Sequence, residues 1–195
     1  MTNFKKVFIF LLFIMLSACA ETEPTRLTNI EGLLPELSFE LTDENNNEVT
    51  EKNYLGQTLI VFFGFTNCAE VCPSAMYQLA GVLKNLGTEA EQVNVLFVSV
   101  DPKRDTPKKL QRYTDVFGPA FIGLTAKNEV VKQMSKRYRV TFGYGDADDE
   151  GNYEVSHSGA MFIFDNLGRA RLLATQSSSM EDILLDLRWL LNSKA

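Results

Sequence analysis

The sequence predicts an α/β domain, a central mixed sheet with helices on both faces. Three observations predict it. Thr58–Phe65 and Val93–Val100 are nearly continuous apolar runs of strand length, the pattern of strands buried on both sides. The segments between and after them place apolar residues at helical spacing. The chain then closes with strand, strand, helix, so that strands and helices alternate along one layered domain.

The elements follow in order. Ala20–Leu27 is polar and carries Pro24, which suits a tether, and the folded part is expected to begin near Ile30. Leu37–Leu41 alternates like a half-buried strand, Asp43–Asn47 is a turn cluster, and Glu48–Thr50 returns as a short second strand. After the first buried strand, Met76, Leu79, Ala80, Leu83 and Leu86 mark a helix over Pro73–Leu86 that Gly87 ends. After the second, Thr106–Phe117 is a helix with Pro107 in its first turn. Phe121–Leu124 is expected as a short edge strand and Lys127–Tyr138 as another helix. Ala160–Phe164 and Ala170–Ala174 are strands joined by the turn Asn166-Leu167-Gly168, and Met180–Leu191 is an amphipathic closing helix. This is the thioredoxin plan with a helical segment inserted between its halves. The elements are contiguous and leave no room for a second domain.

The amino-terminal residues carry an export pattern. Lys5 and Lys6 precede an apolar run of ten residues, Val7–Leu16. That is too short to span a bilayer, which takes about 20 residues, but it suits the apolar region of a signal peptide. Leu16-Ser17-Ala18-Cys19 resembles a bacterial lipobox, which implies cleavage before Cys19 and diacylation of its sulfur. The expected division is therefore 1–18 signal peptide, 19–29 lipidated cysteine and tether, and 30–195 folded domain. Loss of the first 18 residues leaves 177, enough for one sizeable core, and moves the net charge from −6 to −8 because only lysines leave. So acidic a domain is a poor partner for nucleic acid, while metal cations remain possible ligands.

Cysteine usage is the sharpest constraint. With Cys19 assigned to lipid, Cys68 and Cys72 remain. In an oxidising compartment such a pair is a disulfide, a metal clip, or a redox couple using both states. It is no stapling framework, because a bridge across so small a loop removes little chain entropy. The pair sits at the carboxyl end of a central strand and the start of a helix, where open α/β sheets place their sites. Free backbone N–H groups there favour the thiolate, which is both nucleophile and metal ligand. Three intervening residues put the two Cα atoms about 6 Å apart if helical, within reach of either a disulfide or a shared metal.

His157 is the only histidine. It stands just before the Met161–Phe164 strand, where thioredoxin-like exchange proteins carry a cis-proline facing the dithiol, and residues 120–195 contain no proline. Two thiolates and an imidazole form a soft donor set that suits Cu(I), and Cu(II) with an added water or carboxylate; zinc is the competitor.

Three ordered segments carry a family resemblance: Phe63-Gly64-Phe65-Thr66-Asn67-Cys68-Ala69-Glu70-Val71-Cys72-Pro73, Ser99-Val100-Asp101-Pro102-Lys103-Arg104-Asp105-Thr106-Pro107 and Val155-Ser156-His157-Ser158. Together they resemble the signature segments of the SCO/SenC family, over Ile30–Asn192. The resemblance implies a thioredoxin fold, copper held by Cys68, Cys72 and His157, and delivery of copper to the binuclear site of cytochrome c oxidase or maintenance of that site's thiols. Ala69 stands where the family often has proline, which predicts altered loop stiffness rather than lost binding. The lipid anchor replaces the transmembrane helix that many members carry, so the domain is expected outside the cytoplasm, on a bacterial envelope membrane.

Two other functions compete. A thiol–disulfide oxidoreductase would use Cys68 and Cys72 without metal, but the missing proline and the wide cysteine spacing disfavour a general reductase. A thiol peroxidase would want a nearby arginine, and none lies between Arg26 and Arg104 in sequence. Asp101 follows a buried strand at the same sheet edge and is a candidate to steer the metal or a partner. Asp105 or Thr106 reads as a helix cap. Asp146–Gly151 hints at a calcium loop, but its twelfth position is His157 instead of glutamate. Met76, Met134, Met161 and Met180 are scattered and read as core filling.

Overall fold

The computed structural model describes residues 25–193; the expected signal peptide and the expected lipidation site Cys19 lie outside them. Among the described residues ten strands and four α-helices follow in order: β1 Thr28–Asn29, β2 Glu40–Asp43, β3 Glu48–Thr50, β4 Thr58–Gly64, α1 Val71–Leu86, β5 Val93–Ser99, α2 Pro107–Thr114, β6 Phe121–Thr125, α3 Asn128–Arg137, β7 Phe142–Tyr144, β8 Val155–His157, β9 Met161–Phe164, β10 Ala170–Ala174 and α4 Met180–Asn192. Eight strands form the main sheet in the order β1-β10-β9-β4-β5-β6-β2-β3, and β7 pairs with β8 alone. The contacts β4–β5 and β5–β6 are parallel, while β9 lies antiparallel on the other side of β4. The sheet is therefore mixed, as expected.

Its centre is apolar throughout because both faces are covered. Every residue of β4 is buried. Side chains alternate between faces along a strand. Phe62 meets Phe97, and Phe97 meets Tyr113 of α2, so α1, α2 and the α4 that packs on α1 share one side. On the other side Phe63 meets Phe162, and Tyr138, which ends α3, meets Phe164. Helices thus lie on both faces.

Three features depart from the sequence expectation. The strand Phe121–Thr125 is internal rather than an edge, because β2 pairs along it through Thr42↔Thr125 and Asp43↔Leu124. The first major helix begins at Val71, so Cys72 lies inside its first turn. The inserted segment contains a hairpin, β7–β8, as well as the expected helix. Ordered packing is present by Leu27, which is buried and donates its N–H to Asp186 of α4 at 2.7 Å.

Helix ends follow the local chemistry. Thr106 accepts the Lys109 N–H and Pro107 takes the first helical position, so Thr106 rather than Asp105 caps α2. Gly87, at φ +66°, ends α1 in the left-handed region that glycine adopts without strain. Among the described residues no helix is long and apolar enough to cross a membrane.

Candidate metal centre

Cys68, Cys72 and His157 converge. One ligand atom from each lies within 4.8 Å of the others, and both cysteines are free thiols. Three segments bring them together. Cys68 stands in the loop after β4, Cys72 in the first turn of α1, and His157 ends β8, paired with Phe142. Because α1 starts early, the Cys72 N–H points back and donates to the Cys68 sulfur at 3.3 Å.

The histidine geometry fixes its tautomer. Nδ1 lies 3.0 Å from the Ser158 carbonyl, which can only accept, so Nδ1 carries the proton. Nε2 is then an acceptor, and it lies 3.2 Å from the Cys72 sulfur. Burial lowers the His157 pKa below the ordinary imidazole value, keeping the ring neutral near pH 7. Burial pushes the Cys72 thiol well above its usual range, so Cys72 is a thiol that donates to Nε2. Replacing that proton with a metal ion gives both atoms a common partner. Metal–sulfur bonds of about 2.3 Å and metal–nitrogen bonds of about 2.0 Å span the separations present with small closure.

The surroundings hold this arrangement. Gly64 is required: a Cβ there would lie 2.9 Å from the Cys72 sulfur and 2.7 Å from Phe97 Cε2. The edges of Phe62 and Phe65 face the imidazole, with ring centroids at 6.0 and 5.6 Å. Asp105 ties the cysteine loop down. Its carboxylate accepts the Thr66 N–H at 3.0 Å, the Thr66 hydroxyl at 2.5 Å and the Ser99 hydroxyl at 2.7 Å.

Asp101 is fully buried and lies outside the sulfur–imidazole cluster. It accepts from the Arg104 Nε and, at 2.6 Å, from the Tyr153 hydroxyl. Burial, and next the bond to Asp101, push the Tyr153 phenol up to about 12, so it remains a donor. Tyr113, beneath Phe97, has a buried hydroxyl with no hydrogen-bond partner among the described residues. Its pKa is raised by burial first and then by the two thiols.

A profile of the SCO1/SenC family matches residues 29–192. The chain belongs to this family. It is 36% identical to the human mitochondrial SCO1 homologue over 127 residues, 64% of this chain and 42% of that one. Among solved structures it resembles yeast Sco1 with copper bound, with a TM-score of 0.75 and 32% identity over 83% of this chain and 91% of that one. Bradyrhizobium japonicum ScoI with copper bound gives 0.73 and 32% over 80% and 98%. The chain spans 42% to 66% of the length of its curated relatives. The fold is thioredoxin-like, as these neighbours are.

Within this SCO1/SenC domain, the three sequence-selected side chains stand together. Sequence reasoning missed four others. Asp105 read as a cap but anchors the loop. Phe65 read as strand but frames the imidazole. Arg104 and Tyr153, 49 residues apart, meet only in the folded chain. The aromatic and arginine content of the signature segments was the one available signal.

Proposed function

We propose that this domain binds one copper ion through Cys68, Cys72 and His157 and hands it to a copper-accepting protein, the binuclear copper site of cytochrome c oxidase being the target that the family resemblance implies. The observation that carries this is the convergence of two free thiols and a neutral imidazole nitrogen within 4.8 Å, in a chain related to copper-bound proteins. Copper is the cargo. Two thiolates hold Cu(I), and the imidazole completes the set; Cu(II) would add a water or carboxylate. Zinc would fit the same donors with an open position, and copper wins where both are available because its affinity order is higher. Transfer proceeds by ligand exchange with the acceptor's cysteines.

A second reading, thiol maintenance, is favoured by the asymmetry of the pair. Cys68 is partly exposed and receives a backbone N–H, whereas Cys72 is fully buried. Cys68 thiolate would attack a partner's disulfide and release one partner thiolate. Cys72 would then attack the Cys68 sulfur and release the second. Two electrons pass to the partner, and the Cys68–Cys72 disulfide that forms can no longer hold metal.

The anchoring proposal completes the reading: Cys19 carries lipid and holds the domain on the outer side of a bacterial cytoplasmic or envelope membrane. The decisive experiment compares wild type with His157→Ala, both reduced and loaded with Cu(I), against an apo binuclear-copper domain with reduced or oxidised cysteines. Wild type should load the reduced acceptor. His157→Ala should still reduce the oxidised acceptor yet deliver copper poorly. Equal copper affinity in the two proteins would refute the chaperone reading.

A further inference from the structure

The hairpin that presents His157 packs on the core through Val155, Phe142 and Tyr153 but is tied to the body by few hydrogen bonds. Strands β7 and β8 pair only with each other, and among the described residues no backbone hydrogen bond joins 141–158 to the rest of the protein. Behind the hairpin lies a cavity of about 820 Å³, lined in part by Lys103, Lys127, Tyr144 and Tyr153, so packing on that side supplies little of its hold. Apart from that of His157 itself and the Ala160 N–H that Ser158 accepts at the strand junction, the hydrogen bonds from this segment to the body run through Tyr144 or Tyr153.

Tyr144 donates to the Val100 carbonyl at 2.6 Å. The Tyr153 contacts are denser and closer in sequence to the histidine. The Arg104 guanidinium lies 3.8 Å from the Tyr153 ring centroid and donates to the Tyr153 carbonyl at 3.0 Å. The Tyr153 hydroxyl reaches Asp101, the same carboxylate that holds Arg104. The far side of Arg104 faces Phe65 at 5.9 Å, and Phe65 in turn faces the imidazole. A planar, always-charged fork can stack and donate at once; an ammonium group cannot.

We propose that Arg104, held by the buried Asp101 and closed on Tyr153, is the latch that keeps the β7–β8 hairpin down and so presents His157 Nε2 to the two thiols. Arg104 and Tyr153 are positioning residues. With the latch open, the cysteine pair keeps its loop and its Asp105 anchor while the imidazole moves away, leaving a two-sulfur site. Latch opening would thus separate strong three-ligand binding from release. The copper part of this inference rests on the proposed function; the hairpin part does not.

The test uses Tyr153→Phe, which keeps the ring stack and removes only the bond to Asp101, and Arg104→Lys, which keeps the charge and removes the fork. In the metal-free reduced protein, hydrogen exchange at Val155–His157 should quicken about tenfold, the scale of one charge-assisted hydrogen bond. Copper affinity should fall by a similar factor, while the reduction potential of the Cys68–Cys72 pair stays at the wild-type value. Unchanged exchange in both variants overturns the latch, and so does weakened copper binding without quickened exchange. Wild type that fails to bind copper would defeat the proposed function instead, and the metal-free exchange would still decide the latch.

Discussion

At the scale of single residues, burial sets two protonation states in opposite senses. The Cys72 thiol is held protonated and the His157 ring is held neutral. Copper binding near pH 7 therefore releases at least one proton, from Cys72, and none from His157. Affinity should rise with pH through the neutral range. Calorimetry in buffers of different ionisation enthalpy checks the proton count, and a count that drops in His157→Ala would contradict the assignment. The lowered His157 pKa means the fold disfavours the charged ring, so its contribution is present above the ordinary imidazole pKa and is lost as pH falls through the folded value. His157→Ala itself should weaken Cu(II) binding by about 100-fold, the scale of losing one of three ligands at about 2–3 kcal/mol, as read by competition titration.

At the scale of elements, the sheet end and helix start must approach within van der Waals contact. Gly64→Ala should overpack that junction, lowering stability by about 1–3 kcal/mol in denaturant unfolding and displacing the Cys72 sulfur. Asp105→Ala should cost about 3 kcal/mol, because it strips partners from the Thr66 N–H and two hydroxyls at once. Wild-type unfolding midpoints in either variant would show that the loop is not held in this way. These elements also show what the sequence made legible. Leu59–Phe63 and Val95–Val98 are apolar without interruption, so buried parallel strands were readable. Phe121–Thr125 looked like an edge because its second neighbour, β2, lies about 80 residues earlier and no local signal announces that pairing. The β7–β8 hairpin was hidden because Gly143 and Gly145 break its alternation and a polar loop separates its strands. The Cys68–Cys72–His157 set was legible since sulfur and imidazole are rare in this chain. Its supports, Asp105 and the Arg104–Tyr153 pair, were not, because each gains meaning only from a long-range contact.

At the scale of the whole molecule, the loop after β4 and the first turn of α1 carry the two thiols, while a separate hairpin carries the third donor. A dithiol whose imidazole partner the proposed latch can release would suit a protein that must hold a metal and also give it up. The amino-terminal segment stands apart from this chemistry. Cys19→Ala in the full chain should release the protein from the membrane fraction and leave copper binding by the domain unchanged; retention in the membrane fraction would count against the lipid anchor. The claim on which the account depends is that both sulfurs and the imidazole share one metal ion. X-ray absorption on the reduced domain beginning at Ala20, loaded with one equivalent of copper, tests it directly. Two sulfur ligands near 2.3 Å and one imidazole nitrogen near 2.0 Å are expected, with copper lost when the thiols are alkylated. Copper retained after alkylation, or a spectrum without the imidazole nitrogen, would contradict it.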